Sequence, residues 1–480
     1  TNLVKEVGFD APRGGMSGES DLQPVWAPDG QSVVFTATIT GHVGAYAIGS
    51  THLYQVPAGG GEPRALTSGS DSFGRPAFRP DGKALYAIHS RRSEAKLYSL
   101  SRLAMLPWPA TGQPTLITER WDRSVDAFAF TPDSRTIFLI AEDRGLDRLF
   151  RMPAEGGEVS PAFEMTEGGY AGLEIAGKAT PVIVANWGSM TRPPDVVAID
   201  PAAGKHRPLS DFNADRIARI DWQPPRHFWF TAKNGRRIHS LIVLPPKFEP
   251  TKKYPLLIFP HGGPNNMSKD QFFLRWNYHL LTSLGYVLLM TNYTGSTGFG
   301  EEFAAAIDRD VLRGPGQELL EAAEEAIRQF SFIDGQRMAA AGASYGGYLM
   351  AWFEGNTDRF HCLVNHAGLT DNVSMWGATD GAYYWELRNG GPVWEMKGQW
   401  IEQSPMRYAA NFKTPMLITH GERDFRVPIS QAFEMYKLLQ RRRVPVRMVI
   451  FPDENHWVLS GENSRYHMQE VLGWLKKYLD

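Results

Sequence analysis

Three residues in the second half of the chain have the kinds and the order that acyl transfer needs: Ser344, Asp424 and His456. Gly342, Ala343, Ser344, Tyr345 and Gly346 read G-x-S-x-G, the sharp turn from strand to helix on which a hydrolase exposes a serine. A neutral hydroxyl is a poor nucleophile. An imidazole must therefore take its proton during attack and return it to the leaving amine, while a carboxylate fixes the imidazole tautomer and stabilises the imidazolium. Asp424 lies 80 residues after Ser344 and His456 a further 32, which is the chain order of the α/β-hydrolase triad. Singly, each has a plainer reading: Ser344 as a helix cap, Asp424 as a loop carboxylate, His456 as a surface or core histidine. Their joint order and their positions after apolar runs favour catalysis. Glu422, Asp453 and Glu454 compete for the acid role. Glu454 stands only two positions before His456, too close in sequence to present its carboxylate to the distal ring nitrogen, so Asp424 is preferred.

A tetrahedral intermediate also needs donors for its oxygen. After such an elbow one donor is the backbone N–H of the next residue, Tyr345. A second comes from the loop after an early strand, here His261-Gly262-Gly263-Pro264, with Gly263 assigned and Gly262 as its neighbour. One such donor is typically worth roughly 3 to 4 kcal/mol in acyl transfer. The alternative for this loop is an ordinary strand-ending turn. The glycine-rich run Asn292–Gly300 lacks a following Gly-Lys-Ser/Thr and does not read as a phosphate loop. His261, His366 and His420 lack the close paired spacing of a zinc site, and no metal or other cofactor is expected. Trp376, Tyr383, Tyr384 and Trp385 could line a pocket, or equally pack a core. Cys362, the one cysteine, reads as a buried strand thiol.

These residues need elements to hold them. From about Arg226 continuous apolar runs end in polar or glycine-rich turns: "YPLLIFPHGG", "YVLLMTNYTG", "RMAAAGAS", "FHCLVNHAG", "PMLITHGERD" and "VRMVIFPDEN". Between them lie helical stretches such as "GQELLEAAEEAIRQF", where Leu319, Leu320, Ala323, Ile327 and Phe330 share a face at helical spacing. Strands buried on both sides and separated by amphipathic helices predict a mostly parallel, doubly wound α/β sheet over residues 226–480. In such sheets function gathers at the carboxyl ends of the strands, where every candidate above falls.

The first half has another grammar. "APDG" at Ala27, "RPDG" at Arg79 and "TPDS" at Thr131 recur at offsets of 52 residues, each followed by an apolar strand. Pro-Asp-Gly supplies turn chemistry between alternating strands. Repeats of roughly 45 to 50 residues, each a few strands, have the period of β-propeller blades, which bury their faces only against neighbouring blades. About four such units are expected over residues 1–225, with Thr1–Asp21 as the tail of an earlier one. On this reading the propeller is incomplete, and a companion N-terminal fragment would carry the missing blades. A β-sandwich of unrelated hairpins is the weaker alternative.

Bulk composition excludes more than it assigns. Fifty Lys and Arg against 52 Asp and Glu leave a formal charge of -2, without the basic surplus that nucleic-acid binding needs. No apolar run approaches the roughly 18 residues of a membrane-spanning helix. The chain starts at Thr1 without a charged-then-apolar leader, which predicts a removed signal segment or a truncation.

Taken in order, "HGGP", "NYTGSTGFG", "GASYGGYLMAW", "HGERDFRVP" and "PDENHWVLSGEN" resemble the catalytic domain of the prolyl-oligopeptidase family of serine peptidases. The likeness is greatest to its acylaminoacyl-peptidase branch and, within that, to the dipeptidyl-peptidase 5 group. It covers about 250 C-terminal residues, and the blade region fits the family's propeller less specifically. The resemblance implies Ser344, Asp424 and His456 as triad and Tyr345 and Gly263 as oxyanion donors. It further implies that Arg426 holds the carbonyl of the residue before the scissile one, and that Val427 lines the pocket on the acyl side of the cut. It implies a serine exopeptidase that releases N-terminal dipeptides, with alanine or an apolar residue at the cut, from short peptides admitted past the propeller. An exported homodimer is implied as well. The alternatives are an acylaminoacyl peptidase or oligopeptidase and, behind them, a carboxylesterase. A binding module with a vestigial hydrolase half is the reading from another class. The family has seven blades, so four are a departure, and no acid for the substrate's free amine stands out.

Overall fold

The computed structural model describes residues 22–480 except 41–42, 92, 95, 110–111, 178–180 and 397, together with a two-residue ladder joining Arg13–Gly14 to Glu19–Ser20. The rest of Thr1–Asp21, read above as the tail of an earlier unit, lies outside the described residues. Two compact units emerge. One comprises residues up to 188 with 194–212 and 298–301, and the other comprises 189–193, 213–297 and 302–480.

The first unit is all β. Its four-stranded antiparallel repeats are Val25–Trp26 to Arg64–Ala65, Ser72–Phe78 to Thr115–Leu116, Ala127–Phe130 to Ser160–Pro161, and Gly169–Ala176 to Lys205–Pro208. The last two share one sheet through a single parallel bridge, Asp147 to Gly169. The 52-residue period has a physical basis. Neighbouring repeats touch at equivalent turns. A Cβ on Gly82 would lie 3.0 Å from Pro28 of the preceding turn, and the Asp81 N–H donates to the Ser134 hydroxyl of the following one at 2.9 Å. Each repeat exposes an apolar face that the next one covers: Tyr86 and Leu103 of the second pack with Phe130, Ile137 and Leu139 of the third. The Tyr86 hydroxyl completes that contact by donating to the Ala154 carbonyl at 2.7 Å. This is blade packing, and the region is of the β-propeller type.

The second unit holds one eight-stranded sheet: β1 (Arg226–Thr231), β2 (Arg237–Val243), β3 (Tyr254–Ile258), β4 (Val287–Asn292), β5 (Ile333–Ala343), β6 (Cys362–His366), β7 (Met416–Gly421) and β8 (Val446–Phe451). Its order is 1-2-4-3-5-6-7-8, with β2 antiparallel to both of its neighbours, β1 and β4, and all other pairs parallel. Both faces are covered. Consequently the central strands carry long buried apolar runs, and Ala339, Ala340 and Ala341 of β5 are fully buried. The helices that matter below are α1 (Arg313–Gln329), α2 (Tyr345–Asn356), α3 (Ala382–Asn389), α4 (Ser430–Arg441) and α5 (Gly461–Leu479). This is an α/β-hydrolase fold.

The face of α1 differs in part from the predicted one. Leu319, Ala322, Ala323 and Ala326 are buried, whereas Leu320, Ile327 and Phe330 are half-buried. Two carboxylates share the buried side. Glu318 accepts from the Thr294 N–H and hydroxyl at 2.6 Å each and from Asn234 at 2.8 Å, and Glu321 accepts from the Lys233 N–H at 2.8 Å. They hold loop-end donors, those of Thr294 being buried, so part of the buried side of α1 is polar.

Candidate active site

Ser344 sits between the end of β5 and the start of α2, at φ +60° and ψ −120°. A non-glycine residue there is strained, and the surrounding backbone is what holds it. The Ser344 N–H donates to the His366 carbonyl at 2.9 Å. A Cβ on Gly342 would strike the backbone of Gly346, one on Gly346 would lie 2.7 Å from the Pro260 carbonyl, and one on Gly347 would lie 2.8 Å from Asn365. The glycines of the motif are therefore close-approach positions: they let α2 start directly against the strand ends.

The loop His261–Pro264 lies beside this elbow. A Cβ on Gly262 would be 3.4 Å from Ser344 Cβ and 4.0 Å from its Oγ. Gly263 has φ +128°, a value that side-chain-bearing residues rarely adopt. The loop is pinned through His261, whose Nε2 meets the Ser296 hydroxyl at 2.8 Å and whose carbonyl accepts from the Tyr293 hydroxyl at 2.7 Å. Asn265 donates to the Gly295 and Ala304 carbonyls, and the Thr297 N–H to the Asn266 carbonyl. The first part of the glycine-rich run, residues 293–297, is thus the scaffold of this loop, a use the sequence reading did not find. Tyr345 turns its ring inward: its hydroxyl donates to the Val311 carbonyl, and burial holds its ionisation well above the usual tyrosine range.

Asp424 and His456 meet. His456 Nδ1 lies 2.6 Å from Asp424 Oδ2, and the two side chains are 6% and 0% exposed. Since a carboxylate only accepts, Nδ1 carries the proton and Nε2 is left as a base. Asp424 Oδ1 accepts the N–H groups of Arg426 and Val427 at 2.9 Å each. Burial alone would raise the Asp424 carboxyl, but hydrogen bonds from His420 and His456 outweigh it and bring the group down to about 2. His420 was not singled out as a partner of Asp424. Its Nε2 is 2.7 Å from the Val427 carbonyl and 3.3 Å from Asp424 Oδ2, so its N–H is shared between them. Gly421 ends β7 where a Cβ would strike the backbone of Glu454 and Asn455, which brings the His456 loop onto the Asp424 loop.

Among the described residues no hydrogen bond joins the Ser344 hydroxyl to His456. His366 of β6, opposite Ala343 of β5, supports the elbow. Its carbonyl holds Ser344, and burial together with the charges of His467, His420 and His456 pushes its imidazole well below its usual range. The competing acids are engaged elsewhere or exposed. Glu454 accepts from the Leu459 and Ser460 N–H groups, Asp453 pairs with Arg423, and Glu422 is exposed. Arg426 is half-exposed and paired with Asp380, while Val427 is 2% exposed within the main core. Trp376, Tyr383 and Trp385 are half-buried, Tyr384 is exposed, and Trp376 donates to Glu386 at 2.9 Å. Cys362 is fully buried, which pushes its thiol up to about 12.

A fixed carboxylate, an imidazole with one free basic nitrogen and a strained serine beside a glycine loop are the parts of a hydrolase. Comparison with known proteins places them in a family. The description "Prolyl oligopeptidase family" matches residues 272–480. A dipeptidyl-peptidase 5 of Aspergillus fumigatus is 31% identical over 503 residues, spanning 99% of this chain and 68% of its own. That of Porphyromonas gingivalis is 29% identical over 488 residues, spanning 100% and 69%. Among solved structures, the acylaminoacyl peptidase of Pyrococcus horikoshii superposes with a TM-score of 0.80 at 22% identity, covering 95% of this chain and 70% of that one. A puromycin hydrolase gives 0.75 at 22%, covering 95% and 69%. With sequence and fold in agreement, the chain belongs to the prolyl oligopeptidase family and is a serine peptidase.

Proposed function

We propose that this peptidase removes N-terminal dipeptides from short peptides through an acyl-enzyme, with Ser344, His456 and Asp424 as the catalytic residues. The observation that carries the reading is the buried 2.6 Å contact between His456 Nδ1 and an Asp424 already fixed by two backbone N–H groups. The names of the two relatives support the dipeptidyl specificity. In the first half-reaction Ser344 Oγ bonds to the scissile carbonyl carbon as its proton passes to His456 Nε2. The carbonyl oxygen becomes an oxyanion that accepts the N–H groups of Tyr345 and Gly263. When the C–N bond breaks, His456 returns the proton to the leaving amine, and an ester on Ser344 remains. Water repeats the cycle: it loses a proton to His456, attacks the ester, and releases the dipeptide acid with Ser344 restored. Catalytic hydrogen bonds are often long in the free enzyme and tighten with substrate, so the serine–imidazole bond forms in the complex.

Arg426 holds the carbonyl of the residue before the scissile one, for which a planar guanidinium suits an extended peptide. Val427 contributes to the wall on the acyl side of the cut, where alanine or apolar residues are accepted. The test pairs labelling by a fluorophosphonate with hydrolysis of Ala-Ala amides bearing a free or an acetylated N-terminus. Labelling at Ser344 and cleavage of the free substrate alone are expected. Preference for the acetylated amide would assign an acylaminoacyl peptidase, and hydrolysis of simple esters with neither amide a carboxylesterase.

A further inference from the structure

We infer that Asp380 is a positioning residue for Arg426, setting which edge of its guanidinium meets the peptide. The inference rests on the proposed role of Arg426. The loop between β6 and α3 is clasped to the Asp424–Val427 loop at three points within two residues. The Asp380 N–H donates to the Phe425 carbonyl at 2.8 Å, and the Thr379 hydroxyl to the Arg426 carbonyl at 2.9 Å. The Asp380 carboxylate takes both Nε and Nη2 of Arg426, at 2.8 and 3.3 Å.

This clasp divides the guanidinium. Its Nε–Nη2 edge is spent on Asp380 in the two-pronged geometry that carboxylates favour, which leaves Nη1 for a carbonyl acceptor. Arg426 and Asp380 are 51% and 46% exposed, and a pair so open to water adds little to folding stability. A long, flexible cation beside solvent would otherwise sample many rotamers, and ordering it in advance lowers what binding must spend on it. Asp424 anchors the same loop from beneath through the N–H groups of Arg426 and Val427. Arg426 is thereby fixed at its backbone from the triad side and at its tip from the loop before α3. Phe425, 71% exposed, stands between the two anchor points.

The experiment measures kcat and KM for Asp380→Asn, Asp380→Glu, Arg426→Ala and the Asp380→Asn/Arg426→Ala pair in the full chain, on an Ala-Ala amide and on a small acyl ester. Asp380→Asn is expected to lower kcat/KM on the amide by roughly 10- to 100-fold, chiefly through KM, because misplacing an orienting group carries costs of that size. The ester should change by less than about twofold, since it offers no second carbonyl. Asp380→Glu should recover part of the loss, and the paired variant should be no worse than Arg426→Ala alone, as for two groups acting as a unit. The inference is overturned if Asp380→Asn matches wild type on the amide, if amide and ester fall together, or if the losses add. An Arg426→Ala enzyme as active as wild type on the amide would instead overturn the role of Arg426, and the inference with it.

Discussion

In the blades the left-handed position of each Pro-Asp-Gly-type turn falls on Gly30 at φ +67°, Gly82 at φ +72° and, in the third, Ser134 at φ +62°. In the hydrolase unit the elbow serine, Ser344, also has a positive φ, +60°, but with ψ −120°. Two serines thus share a positive φ that side-chain-bearing residues rarely adopt. Ser134 has a local return for it, since its hydroxyl accepts the Asp81 N–H of the neighbouring turn, and glycine serves equally well in the two sister repeats. Ser344 has no such return. Its hydroxyl makes no hydrogen bond among the described residues, and the strain is sustained by the close-packed glycines around it. Strain matched by a nearby contact is architecture; strain without one points to use.

The largest expected effect tests the second serine. Ser344→Ala should lower turnover by roughly a millionfold, as loss of a nucleophile does when the triad acts as one unit, with the melting temperature nearly unchanged. Persisting peptidase activity would dissolve the distinction between the two serines.

Acid should weaken the hydrolase unit next. In the hydrolase unit His467 is held down to about 4 by burial and then by Arg275, and His239 to about 3 by burial and then by His227. A histidine depressed on folding gives its full stability above its ordinary value of 6.5. The contribution is lost as pH falls toward the folded value, because the unfolded chain takes the proton first. For His467 alone the loss between pH 6.5 and 4 is on the order of 3 kcal/mol. Asp424, depressed from 3.8 to about 2, adds a further loss only below about pH 4. Thermal melts from pH 7 to 4 should therefore show a steady decline, shallower in His467→Gln. An equal slope in that variant would remove His467 from the cause.

The smallest effect belongs to the first serine. Ser134→Ala keeps the strained backbone but loses the bond from Asp81, at a cost of about 1 kcal/mol or less in denaturant unfolding. Hydrolysis of a small ester should be untouched. A large fall in turnover from this substitution would mean that the blade turn is tied to catalysis.

The parts legible in the sequence were those with local or periodic signals. The 52-residue recurrence marked the blades because each repeat must present the same turn to the next. The Ser, Asp, His order marked a candidate site because parallel strands deliver their loops to one edge, where His456 meets Asp424. The contacts that were missed leave no such trace. Asp380 and Arg426 are 46 residues apart, half-exposed and polar, and nothing in their spacing marks them as partners. His420 belongs to an apolar strand, and its bond to Asp424 is visible only once the turn after β7 is folded. The buried side of α1 was partly misplaced for a related reason: Glu318 and Glu321 fall outside an apolar pattern, yet they accept from the Thr294 and Lys233 amides.

The burial of Cys362 has a practical consequence. With its one thiol sealed in the hydrolase sheet and reluctant to ionise, the chain offers maleimides almost nothing to react with. A cysteine introduced at exposed Phe425 would then be the single point of attachment for a fluorophore, and would test the proposed peptide site beside Arg426 without a thiol-free background having to be built first.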